Sequence, residues 1–320
     1  MARGGQARQV VIEGQPVRLT NQDKVLWPDD GLTKGDLVAY YRAVARVILP
    51  HLHDRPLTLK IYPDGIDAGP IFLQAAPRGT PEWVQQWQHH LVSRSGHDAV
   101  NWRIVAADES TLAWLANRAA IELHAWLSRI TTPDLPDALL IDLDPGPEVT
   151  FDEVCRAALQ LRATLGHAGL ESWAKTSGGK GMHLAVPLAP GYDFEHVRAW
   201  AEQIAEAYQC RWPDRFTHLA AKEERPGRIM IDYAQNSLGR TTVAPYSVRG
   251  RPGAAVSTPL SWDEVRAGSR GALLPTDFTM KTVPARIAQA GDIYAPVLST
   301  PQKLPGTSEV HLISGDETAA

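Results

Sequence analysis

The chain has 320 residues, 44% hydrophobic and 21% charged, with 25 Gly and 24 Pro. That is enough for about two modules with a sizeable core, and it is not the composition of a disordered or fibrous chain. No stretch of eighteen residues lacks a charged side chain, and Met1-Ala2-Arg3-Gly4-Gly5-Gln6 leads into no apolar run with a cleavage site. Neither a transmembrane helix nor a secretory leader is expected, which points to a cytoplasmic protein with no membrane partner. The two cysteines, Cys155 and Cys210, are too few for a disulfide framework or a Cys-rich zinc site, and both are expected as reduced thiols in apolar surroundings.

The formal net charge of −4 argues weakly against a nucleic-acid partner, but its distribution is uneven. Between Arg211 and Arg251 stand eight basic residues (Arg211, Arg215, Lys222, Arg225, Arg228, Arg240, Arg249, Arg251) against four acidic ones. This suits a basic groove on an otherwise acidic surface, or a mixed solvated face.

In chain order, a Val/Ile-rich opening and a turn region over 21–31 lead to a helix from Thr33. Thr33 is placed as N-cap, Asp36 completes a capping box, and Pro50 is the stop. The runs 57–62 and 71–74 read as strands around a Gly/Pro/Asp turn. The spacing of Leu112, Leu115, Ala119, Leu123 and Trp126 predicts a helix over 111–127. From Leu139 to Tyr233 the order becomes strand (138–144), helix (from 150 or 151 to 165), strand (171–175), strand (182–187), helix (194–208), strand (228–233), a split βαβ or RRM-like unit. A Pro-, Gly- and Ser-rich region with a short helical pattern near Trp262 follows. The residues from about Leu298 are expected as a flexible tail.

Asp142 and Asp144 are two residues apart at the end of an apolar strand, so both carboxylates project from one face. Carboxylates that close repel unless a cation or proton is shared, and a divalent cation is the natural resolution near pH 7. The alternative is a helix cap plus an exposed strand end. Asp232 closes the strand that a split βαβ sheet places beside the first two. Three such carboxylates suit two Mg²⁺ or Mn²⁺ ions in phosphoryl transfer. The turn Ser177-Gly-Gly-Lys-Gly-Met-His183 offers close backbone approach with hydroxyl, ammonium and imidazole groups, suited to a triphosphate, although it is not a Walker loop. Arg249 and Arg251, at i and i+2, can clamp phosphate oxygens. Trp114, Trp126 and Trp200 read as core, Phe72 as the better stacking candidate, and His124 and His196 as helical structural histidines outside the metal site.

Taken together, Leu19–Pro28 (LTNQDKVLWP), Arg55–Lys60 (RPLTLK), Ile121–Trp126 (IELHAW), Leu140–Gly146 (LIDLDPG), Lys175–His183 (KTSGGKGMH), and Ile231–Asn236 (IDYAQN) with Thr241–Arg251 (TTVAPYSVRGR) closely resemble the polymerase domain of bacterial DNA ligase D. That domain is a branch of the archaeo-eukaryotic primase superfamily, and the resemblance runs from about Val17 to Pro284. It implies an α/β (α+β), two-lobed primase-polymerase fold with an RRM-like catalytic sheet: an extension over 1–16, a catalytic domain over 17–290 (lobes about 17–130 and 131–290), and a tail over 291–320.

The implied activity is nucleotide addition, preferentially of ribonucleotides, to primer 3′ ends at short gaps or double-strand breaks in DNA, in end joining or gap repair. A metal-dependent nuclease and a non-catalytic DNA-end-bridging module are the alternatives. By position, the resemblance makes Asp142, Asp144 and Asp232 the catalytic metal carboxylates for two Mn²⁺ or Mg²⁺ ions. Ser177, Lys180, His183, Arg249 and Arg251 become contacts to the NTP or dNTP triphosphate. Lys60 and Phe72 lie around the incoming nucleotide, and Lys24 and Lys34 grip the 5′-phosphate of a gap. Ile71 and Ala75 depart from the family pattern, which more often has an aromatic and a basic residue there. With the length filled by this region, a separate DNA ligase is the implied partner, with a Ku-type end-binding protein and a bacterial, nucleoid-associated setting.

Overall fold

The computed structural model describes residues 7–92 and 98–306, which form two compact units. Met1–Thr131, Thr241–Val256 and Thr279–Gly291 make the first; Thr132–Arg240, Ser257–Phe278 and Asp292–Ala320 make the second. Residues 307–320, where much of the expected tail falls, lie outside the described residues. Just before them, Gln302 hydrogen-bonds both backbone groups of Glu171, and Trp200 Nε1 donates to the Pro305 carbonyl. Among the described residues no helix is long and apolar enough to cross a membrane.

In the first unit an antiparallel sheet runs in the order Thr241–Val243, Ala120–Trp126, Leu57–Ile61, Ile71–Leu73. The helix Lys34–Ala43 starts with the Thr33–Asp36 capping box and packs against Glu109–Asn117. Pro50 does not end this helix. The first helix stops at Ala43, and Pro50 sits inside a second one, Ala45–Leu52, near its C-terminal end. The helix expected over 111–127 is instead the helix Glu109–Asn117 followed by the strand Ala120–Trp126. The chain reverses at Ala119, whose φ of 57° is left-handed. The strand is central and nearly every residue is buried, so its apolar run lacks alternation and its fourfold spacings imitate a helix. Trp126 is therefore a core residue on a strand, and His124 is not helical.

The second unit holds a six-stranded sheet in the order Phe216–Thr217, Ile229–Asp232, Ala138–Pro145, Met182–Pro187, Trp173–Thr176, Pro259–Leu260. Its middle four strands, numbered along the chain, run 4-1-3-2 and are antiparallel, as the split βαβ pattern requires. The helices are Phe151–His167 and Phe194–Arg211. The first begins at a Thr150–Glu153 capping box and buries Val154, Ala158, Leu161 and Leu165, one stripe at three- and four-residue spacing. Each large apolar side chain on that stripe contributes roughly 1.5–3 kcal/mol by burial.

The two thiols differ. Cys155 is buried on the Phe151–His167 helix, and burial pushes its pKa up to about 12, with Asp152 adding to the effect. Cys210 is exposed, contrary to the apolar setting expected for it, because it falls on the solvent side of the Phe194–Arg211 helix. Iodoacetamide at pH 8 is therefore expected to label one thiol per native chain and two after unfolding. Mass spectrometry of the labelled peptides checks this, since the thiolate fraction at Cys155 is only about 10⁻⁴.

Candidate active site

In the second unit the strand Ala138–Pro145 carries Asp142 and Asp144, and register brings in the third carboxylate. Asp142 lies directly opposite Asp232 on one side and opposite His183 on the other. Directly opposed residues share a face of the sheet, so two carboxylates and an imidazole stand in one row. His183 Nε2 is 3.4 Å from Asp142 Oδ1. The other ring nitrogen, Nδ1, lies 2.9 Å from the buried Lys175 ammonium, which also donates to Ser257 Oγ at 2.8 Å. With Lys175 charged, its ammonium can only donate, so Nδ1 accepts and Nε2 faces Asp142.

The carboxylates do not converge on one point. Asp232 accepts from Ala234 N and from Gln235 Nε2 at 3.1 Å each, capping the short turn Tyr233–Asn236. Asp144 is half-exposed and paired with Arg225 Nη1 at 2.8 Å. Among the described residues no group of three or more His, Cys, Asp or Glu side chains is placed to hold a metal ion. The donor set nevertheless has the hard oxygen chemistry of Mg²⁺ and Mn²⁺, and like charges opposed across a strand pair are unfavourable without a cation.

Beside this row runs the turn Ser177–Gly181. Ser177 N donates to Gly181 O, and Gly181 N donates to Ser177 Oγ at 3.2 Å. Gly178 has a φ of 68°, and a Cβ at Gly181 would lie 2.3 Å from the Leu143 carbonyl oxygen. Glycine at 181 is thus what lets the turn lie against the strand carrying the aspartates. Lys180 is exposed at its tip.

The first unit contains a second cluster, centred on a residue that sequence reasoning missed. Glu122 is 2% exposed, and its neighbours across the sheet bring Lys60 beside it and Phe72 beyond Lys60. Lys60 Nζ lies 3.2 Å from Glu122 Oε2 and 5.0 Å from the ring centre of Phe72, which is 62% exposed. His124, two residues along the same face, is 2.9 Å from Oε2 through Nε2, and Arg249 Nε is 3.1 Å from it. Oε1 accepts from Tyr62 OH at 2.8 Å and Gly250 N at 3.1 Å. Burial alone would raise the pKa of Glu122. The hydrogen bond from His124 and the charges of Arg249, His124 and Lys60 outweigh it and hold the carboxyl well below the usual range. Burial lowers the pKa of His124, against the opposing pull of its hydrogen bond and ion pair with Glu122.

The segment carrying Arg249 is anchored from the first helix. Tyr40 OH donates to the Tyr246 carbonyl at 2.8 Å; Tyr41 OH donates to the Ile121 carbonyl at 2.7 Å and lies 3.2 Å from Ser247 Oγ. Ser247 Oγ in turn accepts from Leu123 N. Arg249 and Arg251 are not an i, i+2 pair on a regular strand. The backbone bends at 250–251, leaving Arg251 exposed while Arg249 reaches Glu122. Three cations of the basic stretch 211–251 are paired with carboxylates: Arg225 with Asp144, Arg228 with Glu224, Arg249 with Glu122.

Elsewhere in the first unit Lys24 pairs with Asp64 at 2.9 Å, and Lys34, 6% exposed, lies 3.3 Å from Thr20 Oγ1. Lys34 opens the first turn of its helix. Its pKa is lowered by burial and by the charge of Lys24, which places the two ammonium groups within electrostatic reach.

Sequence comparison matches residues 33–294 to the family described as LigD, primase-polymerase domain. The chain belongs to that family. It is similar to the multifunctional non-homologous end joining protein LigD of Mycolicibacterium smegmatis, with 36% identity over 251 residues, 78% of this chain and 32% of that protein. It is also similar to the bifunctional non-homologous end joining protein LigD of Bacillus subtilis, with 32% identity over 308 residues, 95% of this chain and 48% of that protein. The chain thus spans about a third to a half of the length of these relatives. Among solved structures, the polymerase domain of Mycobacterium tuberculosis ligase D in complex with DNA superposes with a TM-score of 0.80 at 31% identity, covering 89% of this chain and 98% of that one. The mixed α+β architecture and the nucleotidyltransferase class of the LigD polymerase domain are those of this chain.

Proposed function

We propose that this chain is a DNA-dependent polymerase that adds nucleotides, preferentially ribonucleotides, to primer 3′ ends at short gaps and double-strand breaks in end joining. The observation that carries the reading is the Asp142–Asp232 register pair, flanked by His183 and the Ser177–Gly181 turn. Opposed carboxylates suit divalent cations, and a glycine-rich turn bearing a hydroxyl and an ammonium suits a triphosphate. Asp142, Asp144 and Asp232 would hold two Mg²⁺ or Mn²⁺ ions, with Asp144 released from Arg225. When bound, such ions activate the primer 3′-hydroxyl and neutralise charge on the departing pyrophosphate.

The chain's own groups then bind and orient. Ser177, Lys180, His183, Lys60, Arg249 and Arg251 are the residues proposed to contact the nucleotide. Phe72 offers a stacking face beside Lys60, and Lys24 with Lys34 receives the 5′-phosphate of the downstream strand. A separate ligase activity and a Ku-type end-binding protein are the proposed partners. The test is extension of a labelled primer on a gapped duplex, with each nucleotide type and each metal. Growth by one or a few nucleotides is expected, and shortening would make the protein a nuclease. Lys24→Ala is expected to weaken binding to 5′-phosphorylated gaps about tenfold, with a shallower salt dependence. An equal loss on unphosphorylated gaps, measured by fluorescence anisotropy, removes that role.

A further inference from the structure

The buried carboxylate of Glu122 is held by three hydrogen bonds, from Tyr62, Gly250 and His124, and by two cations, Lys60 and Arg249. One oxygen of Glu122 faces Lys60, His124 and Arg249, and the other accepts from Tyr62 OH and Gly250 N. Lys60 and Arg249 would repel one another if brought this close without an anion between them. The two come from distant parts of the chain: Lys60 from the strand beside Glu122, Arg249 from the bend after residue 248. That bend is built around Glu122. Gly250 N donates to its Oε1, and a Cβ at residue 250 would lie 2.2 Å from Tyr62 Cζ, so Tyr62, Gly250 and Glu122 pack as one unit.

We propose that Glu122 is a positioning residue for the incoming nucleotide: its carboxylate gathers Lys60 and Arg249 onto one oxygen and, through Tyr62 and Gly250, fixes the bend that carries Arg249. It touches neither the nucleotide nor the reacting atoms. The inference rests on the reading that Lys60 and Arg249 contact the nucleotide. An anionic ligand then meets two cations whose ordering entropy has already been spent, and affinity gained by preorganisation is affinity lost when the organiser goes. Glu122→Gln preserves volume but points an amide of reduced acceptor strength at the cations. Glu122→Asp keeps the charge but withdraws it by one methylene.

The experiment titrates ATP with Mn²⁺ into the protein bound to a gapped duplex, by calorimetry, for wild type, Glu122→Gln, Glu122→Asp, Lys60→Ala, Arg249→Ala and the double variants. Both Glu122 variants are expected to weaken ATP binding about tenfold or more while duplex affinity and near-ultraviolet circular dichroism stay as in wild type. In the Glu122→Gln background, Lys60→Ala and Arg249→Ala should each cost less than they do alone. A folded Glu122→Asp with wild-type ATP affinity overturns the proposal, as do strictly multiplicative losses in the double variants. Should Glu122→Gln fail to fold, the Glu122→Asp titration decides. If Lys60→Ala and Arg249→Ala themselves leave ATP binding unchanged, the nucleotide assignment fails, and Glu122 positions nothing for this reaction.

Discussion

Asp142→Ala and Asp232→Ala are each expected to lower single-nucleotide incorporation at least about 10³-fold, the scale on which two-ion phosphoryl transfer depends on its carboxylates. Affinity for gapped DNA should stay within a few-fold of wild type, because neither carboxylate attracts a phosphate. The physical argument adds a signature that a merely structural role would not give. The two side chains are directly opposed across an antiparallel pair, where like charges destabilise by roughly 0.2–1 kcal/mol. Asp142→Asn should therefore melt no lower than wild type in the absence of divalent ions, and it should lose the stabilisation that Mn²⁺ gives the wild-type protein. Incorporation assays paired with thermal melting with and without Mn²⁺ check both halves. Retained incorporation, or the same Mn²⁺-dependent shift in Asp142→Asn, would remove Asp142 from the metal site.

A second large effect is expected at Asn236, which the aspartates depend on for their place. The strand Ile229–Asp232 pairs with residues 142–145 of its neighbour and stops there, so the polar groups of Leu140 on that side have no strand opposite them. Asn236 substitutes for the missing strand. Its Oδ1 accepts from Leu140 N at 2.8 Å, and its Nδ2 donates to Leu140 O at 2.7 Å and to Tyr233 O at 3.1 Å. The residue is fully buried. Asn236→Ala strands a buried N–H and a buried carbonyl, at about 1–3 kcal/mol each, so a loss of about 2–6 kcal/mol is expected. Asn236→Asp should be no better, since it sets a carboxylate against two carbonyl oxygens. Urea unfolding followed by circular dichroism measures the loss. Because the same turn carries Asp232 as its cap, Asn236→Ala should also raise the Mn²⁺ concentration needed for half-maximal incorporation.

The residues of the second unit were legible because their signals are local. Asp-x-Asp at the end of an apolar strand needs only the two-residue period of a strand to put both carboxylates on one face. The helix expected from 150 or 151 begins at Phe151, and in the first unit the Thr33–Asp36 capping box closes within four residues and its helix begins where that box places it. The order of elements from 138 to 233 restricts the sheet to few topologies, and the observed one sets Asp232 beside Asp142.

The first unit was less legible, for two physical reasons. A strand buried on both faces shows no alternation, so Ala120–Trp126 passed for a helix, and Glu122 and His124 lost the shared face that makes them neighbours. Charge pairing is also set by folding at long range. Arg225 reaches Asp144 across 81 positions, and the bend at Gly250 reaches Glu122 across 128. Counting signs along the chain turned these paired cations into a basic run. The amino-acid order by itself determined which groups could carry the chemistry and the sheet face on which the two paired aspartates stand. Which cations meet which carboxylates was decided only by the tertiary structure, because burial makes an unpaired charge so costly that each one's partner depends on what the fold packs against it.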